Sequence, residues 1–283
     1  MQTASKADIV AYWNGENGQK WARFQEMMDR SLKPLGHAAM DAADIGAGWR
    51  VIDVGCGCGD TTFDLAGRVG GQGHVRGVDI SAPMLARAEA RMGKTKNVTF
   101  AEADVHDYRF PAPAYDLVYS RFGVMFFVDP VAAFRNLRAA LKAGGRVAFA
   151  SWRAARENPW VKVPVSIVGA HVPMPSPAAP GEPGEFAFAD DARVRRILTD
   201  AGFADVATVR HDIPITLAGG DLETAVDLLL EIGPTGRAVA DAGADEALKA
   251  RIAADLRDGL RPYLTPAGVV LGTSIWVVTA RAP

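Results

Sequence analysis

The sequence predicts an α/β fold built on a parallel sheet, and three observations carry that prediction. From residue 50 onward, short apolar runs alternate with helix-like segments of about 10–15 residues. Glycine and proline mark the joins between many of these runs, as in GCGCG and KAGG. The first apolar run ends in the glycine-rich bend VIDVGCGCGD, residues 51–60, where a parallel sheet makes its first strand-to-helix turn.

Each element follows in order. RVIDV (50–54) reads as a short buried strand, followed by the helix TTFDLAGRV. HVRGVDI (74–80) is a second strand, and Ser81 caps the helix PMLARAEARM with Pro83 in its first turn. NVTFAEAD (97–104) is a third strand, and YDLVYS (115–120) a fourth that runs into RFGVMFF. Asp129 and Pro130 open the helix VAAFRNLRAALKA, which Gly144 and Gly145 stop. RVAFASW (146–152) is the fifth strand; VATVRHDIPITL (206–217) and SIWVVTARA (274–282) are late ones, with the helix DDARVRRILTDAGF, ended by Gly202, before them. Residues 1–49 form a helical N-terminal cap, 50–153 the ligand-binding core, and 154–189 a proline-rich connection long enough to serve as a lid. Residues 190–283 complete the sheet around a helical insertion at 221–262.

Composition narrows the function. Of 283 residues, 49% are hydrophobic and 23% charged, which places the chain among ordinary globular proteins. A net charge of -2 supplies no basic field for nucleic acid. No apolar run reaches the roughly 18 residues of a membrane span, and the N-terminus lacks a signal-peptide core, so the expected location is cytoplasmic. Cys56 and Cys58 are the only cysteines. They are too close for an easy disulfide and too few to close a zinc site, so no metal is expected.

The glycine bend admits a ligand to its backbone, but its spacing is not that of a dinucleotide cradle. Asp60 stands at the helix start, where a pyrophosphate would bind, and Asp53 adds a second carboxylate before the turn; both disfavour phosphate. A zwitterion with an amino group and a sulfonium suits the turn better, and S-adenosylmethionine (SAM) is such a molecule. Asp79, at the end of the second strand, can accept from two ribose hydroxyls, with Ile80 and Met84 against the adenine faces. Asp104 can accept from the adenine amino group while the Val105 amide donates to a ring nitrogen. The plain alternatives are that Asp79 caps the next helix and Asp104 only ends a strand.

Taken together, VIDVGCGCGDTT, GVDISAPMLARA, AEADV and YDLVYSRFGVMFF with LKAGGRVAF resemble the class I SAM-dependent methyltransferases, in particular the small-molecule branch that includes the ubiquinone- and menaquinone-biosynthesis type. The resemblance is strong over 50–152. It implies a Rossmann-like, seven-stranded, mostly parallel sheet with helices on both faces and an antiparallel last strand. It assigns Gly55 and Gly57 to the methionine part of SAM, Asp53 to a nearby acid, Asp79 to the ribose, and Asp104 with Val105 to the adenine. Ser120 maps to a contact with the methionine amino group. By the same resemblance the N-terminal segment closes over SAM, and Tyr12, Trp13 or Trp21 line the methyl-transfer chamber.

The second substrate is expected beyond the fourth strand, where Arg121, Phe122, Met125 and Phe126 follow; the last three have the spacing of one helical face. Trp160, in ENPW, is a second candidate wall. The five histidines, His37, His74, His106, His171 and His211, read as solvent-exposed bystanders, and no catalytic base is assigned. The expected partner is a small, apolar or aromatic methyl acceptor carrying an O, N or C nucleophile, and the product is S-adenosylhomocysteine (SAH). A homodimer is compatible with the sequence. The competing readings are an NAD-type oxidoreductase and a non-catalytic SAM-fold binding protein.

Overall fold

The computed structural model describes residues 5–111, 113–176, 178–179 and 181–283. Pro177 and Pro180 of the proline-rich connection, and the first four residues of the cap, lie outside the described residues. The cap holds helices α1 (Lys6–Asn14), α2 (Glu16–Arg23) and α3 (Gln25–Ala42). The core follows as β1 (Arg50–Val54), α4 (Asp60–Val69), β2 (His74–Asp79), α5 (Ala82–Arg91), β3 (Val98–Glu102), β4 (Tyr115–Arg121), α6 (Pro130–Ala140) and β5 (Leu141–Trp152). Then come α7 (Pro159–Val168), α8 (Asp191–Asp200), β6 (Ala204–Thr216), α9 (Leu222–Glu231), α10 (Gly233–Asp241), α11 (Glu246–Leu260), β7 (Leu264–Thr265) and β8 (Gly268–Arg281).

The strands lie in the order β3-β2-β1-β4-β5-β8-β6. β1 to β5 pair in parallel, and β8 runs antiparallel to both β5 and β6. Among the described residues the sheet has eight strands, not seven; the extra one is the two-residue β7, which pairs only with β8. β1 and β4 are buried along almost their whole length, as central strands covered on both faces must be, whereas β6 at the edge is largely exposed. α3 packs across β4, β5, β6 and β8 and alongside α4, so part of the cap is a layer of the fold. α7, α9, α10 and α11 pack on one another as a helical cluster.

Two local expectations change. Helix α6 ends at Ala140, because Leu141 turns to an extended conformation and begins β5. Gly144, at φ +75°, sits within that strand, where the pairing of β4 with β5 shifts register. Ser81 holds the N-cap position of α5, but its hydroxyl does not cap. It donates instead to the Trp13 carbonyl at 2.6 Å, and the Asn14 side-chain oxygen takes the Ala82 amide at 2.9 Å. The cap thus supplies the helix's missing acceptor, a contact no local pattern reveals.

Candidate functional site

The strand order reverses between β1 and β4, and in such sheets the crevice at that switch point receives the ligand. The turns after the two strands touch: a Cβ placed on Gly55 would lie 2.7 Å from the Gly123 Cα. Gly55 also has φ +65°, so both the close approach and the left-handed backbone require glycine. Ser120 fixes the second turn, donating to the Val54 carbonyl at 2.8 Å and accepting from the Gly123 amide at 3.1 Å.

Above these turns lies a cavity of about 210 Å3, walled by the sheet edge, the cap and the start of α10. Of the candidates from sequence, Gly55, Asp79, Ile80, Met84, Asp104, Val105 and Trp21 line it, as do Tyr12, Trp13, Arg121, Phe122, Met125, Phe126 and Trp160. Asp53, Gly57 and Ser120 stand behind this wall and shape it. The Gly57 amide donates to Asp79 Oδ2 at 2.7 Å, and the Ser81 amide to Asp79 Oδ1 at 2.9 Å. Burial pushes the Asp79 carboxyl above the usual range, and these amides pull against that shift.

The aromatic wall comes from distant segments. Trp13 meets Trp21 edge-on at 5.9 Å and Phe126 at 5.1 Å. Phe122 stacks flat on Trp152 at 4.2 Å, and Trp152 meets Trp160 at 4.6 Å. Phe122, Met125 and Phe126 do not share a helical face. Phe122 has φ +64°, and only the single 3-10 turn Val124–Phe126 follows it.

The charges differ from their sequence reading. Asp60 makes no local cap; its carboxylate pairs with Arg121 at 3.0 Å, and Arg121 also reaches Asp29 of α3 at 3.4 Å. Asp53 is fully buried and takes the Thr61 and Thr62 hydroxyls at 2.7 Å each. Neither acid therefore repels phosphate from the crevice by an open charge. Gly59 to Thr62, at the α4 N-terminus, are buried and do not line the cavity. The carboxylate residues that do line it are Asp79, Asp104 and Glu185.

His106 is not an exposed bystander. Its side chain is 6% exposed, with Nδ1 2.6 Å from Asp104 Oδ1 and Nε2 2.9 Å from the Asp129 carbonyl oxygen. It therefore holds Asp104 against the start of α6. His171 contacts Asp255 of α11 at 2.7 Å. Burial raises both cysteine thiols, that of Cys58 to about 12, so neither is a thiolate at neutral pH. Burial likewise raises the Tyr12 phenol to about 12.

Several wall residues escaped the sequence reading. Trp152 ends a parallel strand, a position that could have marked it. Asn17, in the first turn of α2, follows Trp13 by four residues; its amide nitrogen is buried without a partner at the cavity wall. Met28 and the segment Ile232–Pro234 carry no sequence signal of a site. Among the described residues, no group of three or more His, Cys, Asp or Glu is placed to hold a metal, and no helix is long and apolar enough to cross a membrane.

This site can be set beside known proteins. A family model described as "Methyltransferase domain" matches residues 51–145. Aklanonic acid methyltransferase DauC of Streptomyces sp. (strain C5) is 38% identical over 120 residues, covering 42% of this chain and 54% of its own length. Nocamycin O-methyltransferase of Saccharothrix syringae is 31% identical over 198 residues, covering 65% of this chain and 69% of its own length. The chain thus spans about half the length of the first relative and over two thirds of the second. A solved structure of phosphoethanolamine N-methyltransferase 2 from Haemonchus contortus shares the fold, with a TM-score of 0.60 at 19% identity, over 99% of this chain and 60% of that one. From the glycine turn at the switch point, the carboxylate at the end of β2 and these matches together, the chain belongs to the class I SAM-dependent methyltransferases.

Proposed function

We propose that this protein transfers a methyl group from SAM to an O, N or C nucleophile of a small, apolar or aromatic molecule. The observation that carries the reading is the Asp79 carboxylate, fixed by two backbone amides at the wall of an apolar cavity that aromatic side chains partly line. The residues present fit the cofactor. Gly55 brings bare backbone to the cavity wall, Asp79 has lone pairs for a ribose diol, and Asp104 and Val105, also on the wall, offer an acceptor and a backbone donor of the kind an adenine edge takes. The unpartnered Asn17 amide is a donor awaiting an acceptor.

When bound, SAM supplies an electrophilic methyl group on a sulfonium. The chain's own contribution is to place the acceptor and keep water out, which suits a reaction governed by proximity. The faces of Trp13 and Trp21 favour a cation, and Phe122, Met125 and Phe126 offer an apolar floor. No general base is assigned: the Tyr12 phenol and the thiols stay protonated, and both His106 nitrogens are engaged. The buried α4 N-terminus gives an NAD-type alternative no support.

The test is calorimetric titration with SAH and with NADH, followed by incubation of labelled SAM with a panel of phenols, amines and quinols. SAH binding with label transfer to a panel member is the expected result. Binding of NADH alone would overturn the proposal, and SAH binding without any acceptor would favour a non-catalytic binding protein.

A further inference from the structure

Next to the main cavity lies a smaller one of about 60 Å3. The two share six wall residues, Met28, Leu32, Trp160, Ile232, Gly233 and Pro234. Beyond that wall the small cavity is lined by aliphatic side chains of α7 and α9, including Val161, Val165, Leu228 and Leu229. Two hydroxyl residues border it, and both are engaged by the backbone. Ser31 Oγ lies 3.0 Å from the Met27 carbonyl oxygen and 2.9 Å from that of Thr216, while Thr235 Oγ1 donates to the Leu229 carbonyl at 2.6 Å.

A cavity with this lining favours hydrocarbon over water. Its volume is several times the roughly 15 Å3 that a single water requires, enough for a short alkyl group. The aromatic column gives a direction. It starts at Phe122, beside the Gly55–Gly123 contact, passes through Trp152, and ends at Trp160 in the shared wall.

We infer that the small cavity is a specificity pocket for an apolar arm of the methyl acceptor. The acceptor is an amphipathic molecule: its nucleophile-bearing head lies in the main cavity, and an unsubstituted hydrocarbon arm enters the small one past Trp160 and Pro234. This rests on the methyl-transfer reading of the main cavity.

The experiment titrates a series from phenol to 4-n-octylphenol into the full chain saturated with SAH. Affinity rises about fourfold per methylene over the first few carbons and then stops rising. Val165→Phe, which fills the small cavity from a residue outside the main wall, flattens the series. Leu229→Ala, which enlarges it, moves the plateau to longer chains. SAH affinity is unchanged in both variants. With SAH bound normally, an affinity independent of chain length, an absence of phenol binding, or an undiminished series in Val165→Phe overturns the pocket. Failure of the unaltered chain to bind SAH overturns the reading of the main cavity instead, and the arm pocket with it.

Discussion

The Gly57 amide donates to the Asp79 carboxylate at 2.7 Å, joining the bend after β1 to the end of β2. One acid therefore does two things. It holds the glycine turn in shape, and it presents its remaining lone pairs to the cavity.

Replacing Asp79 with Ala tests both roles. The loss of an acceptor for a ribose diol weakens SAH binding by about 1–3 kcal/mol, and the freed Gly57 and Ser81 amides lower thermal stability as well. Calorimetry and a thermal melt measure the two effects; an unchanged dissociation constant would show that the nucleoside does not bind at Asp79.

Gly55 and Gly67 make a matched pair. Gly55→Ala forces a Cβ against the Gly123 backbone at φ +65°, and costs about 1–3 kcal/mol together with SAH binding. Gly67 is exposed within α4 with open space at its Cβ position, so Gly67→Ala stabilises by roughly 0.5–1 kcal/mol. Urea denaturation distinguishes them, and equal effects would contradict the turn geometry.

Asp53 gives a pH signature. Burial raises its carboxyl from the ordinary 3.8 to about 7, and the Thr62 and Thr61 hydroxyls together with the Arg121 charge offset only part of this. Between those values the folded chain keeps a proton that the unfolded chain has lost. This contribution to stability is complete below the unfolded value and is lost as pH rises through about 7. Denaturation midpoints at pH 5.5 and 8.5 should show the loss in the native sequence and a smaller one in Asp53→Asn. Equal pH dependence in both would refute the assignment.

Arg121 is predicted to matter for folding before it matters for substrate. Arg121→Met leaves Asp60 without its 3.0 Å partner, while Arg91 still reaches Asp29 at 3.1 Å. The expected loss is about 2–4 kcal/mol, partly recovered by adding Asp60→Asn. A melting temperature unchanged in the single variant would show that the pair carries no weight.

The parallel strands were legible because their signals are local. β1 follows from the apolar run RVIDV, and Asp129 does cap α6, accepting the Ala132 amide at 3.0 Å. What escaped depends on tertiary contacts. Ser81 has the sequence of a helix cap, yet Trp13 takes its hydroxyl, and only the docked N-terminus reveals this. Asp60 looked like an open charge until Arg121, 61 residues away, neutralised it. Within the helical insertion, α10 opens with glycine and proline, and Pro234 sits in its first turn, where a proline is tolerated. Asp79 and Asp104 reached the cavity wall because a parallel sheet delivers its strand ends to one edge, whereas Ser120 and Asp53 lie behind it.

The most direct measurement is a crystal structure of the full chain grown with SAH. The account predicts the nucleoside in the crevice between the turns after β1 and β4, with its ribose hydroxyls on Asp79 and its adenine beside Asp104 and Val105. A structure with that crevice empty, or with the nucleoside bound elsewhere, would contradict it.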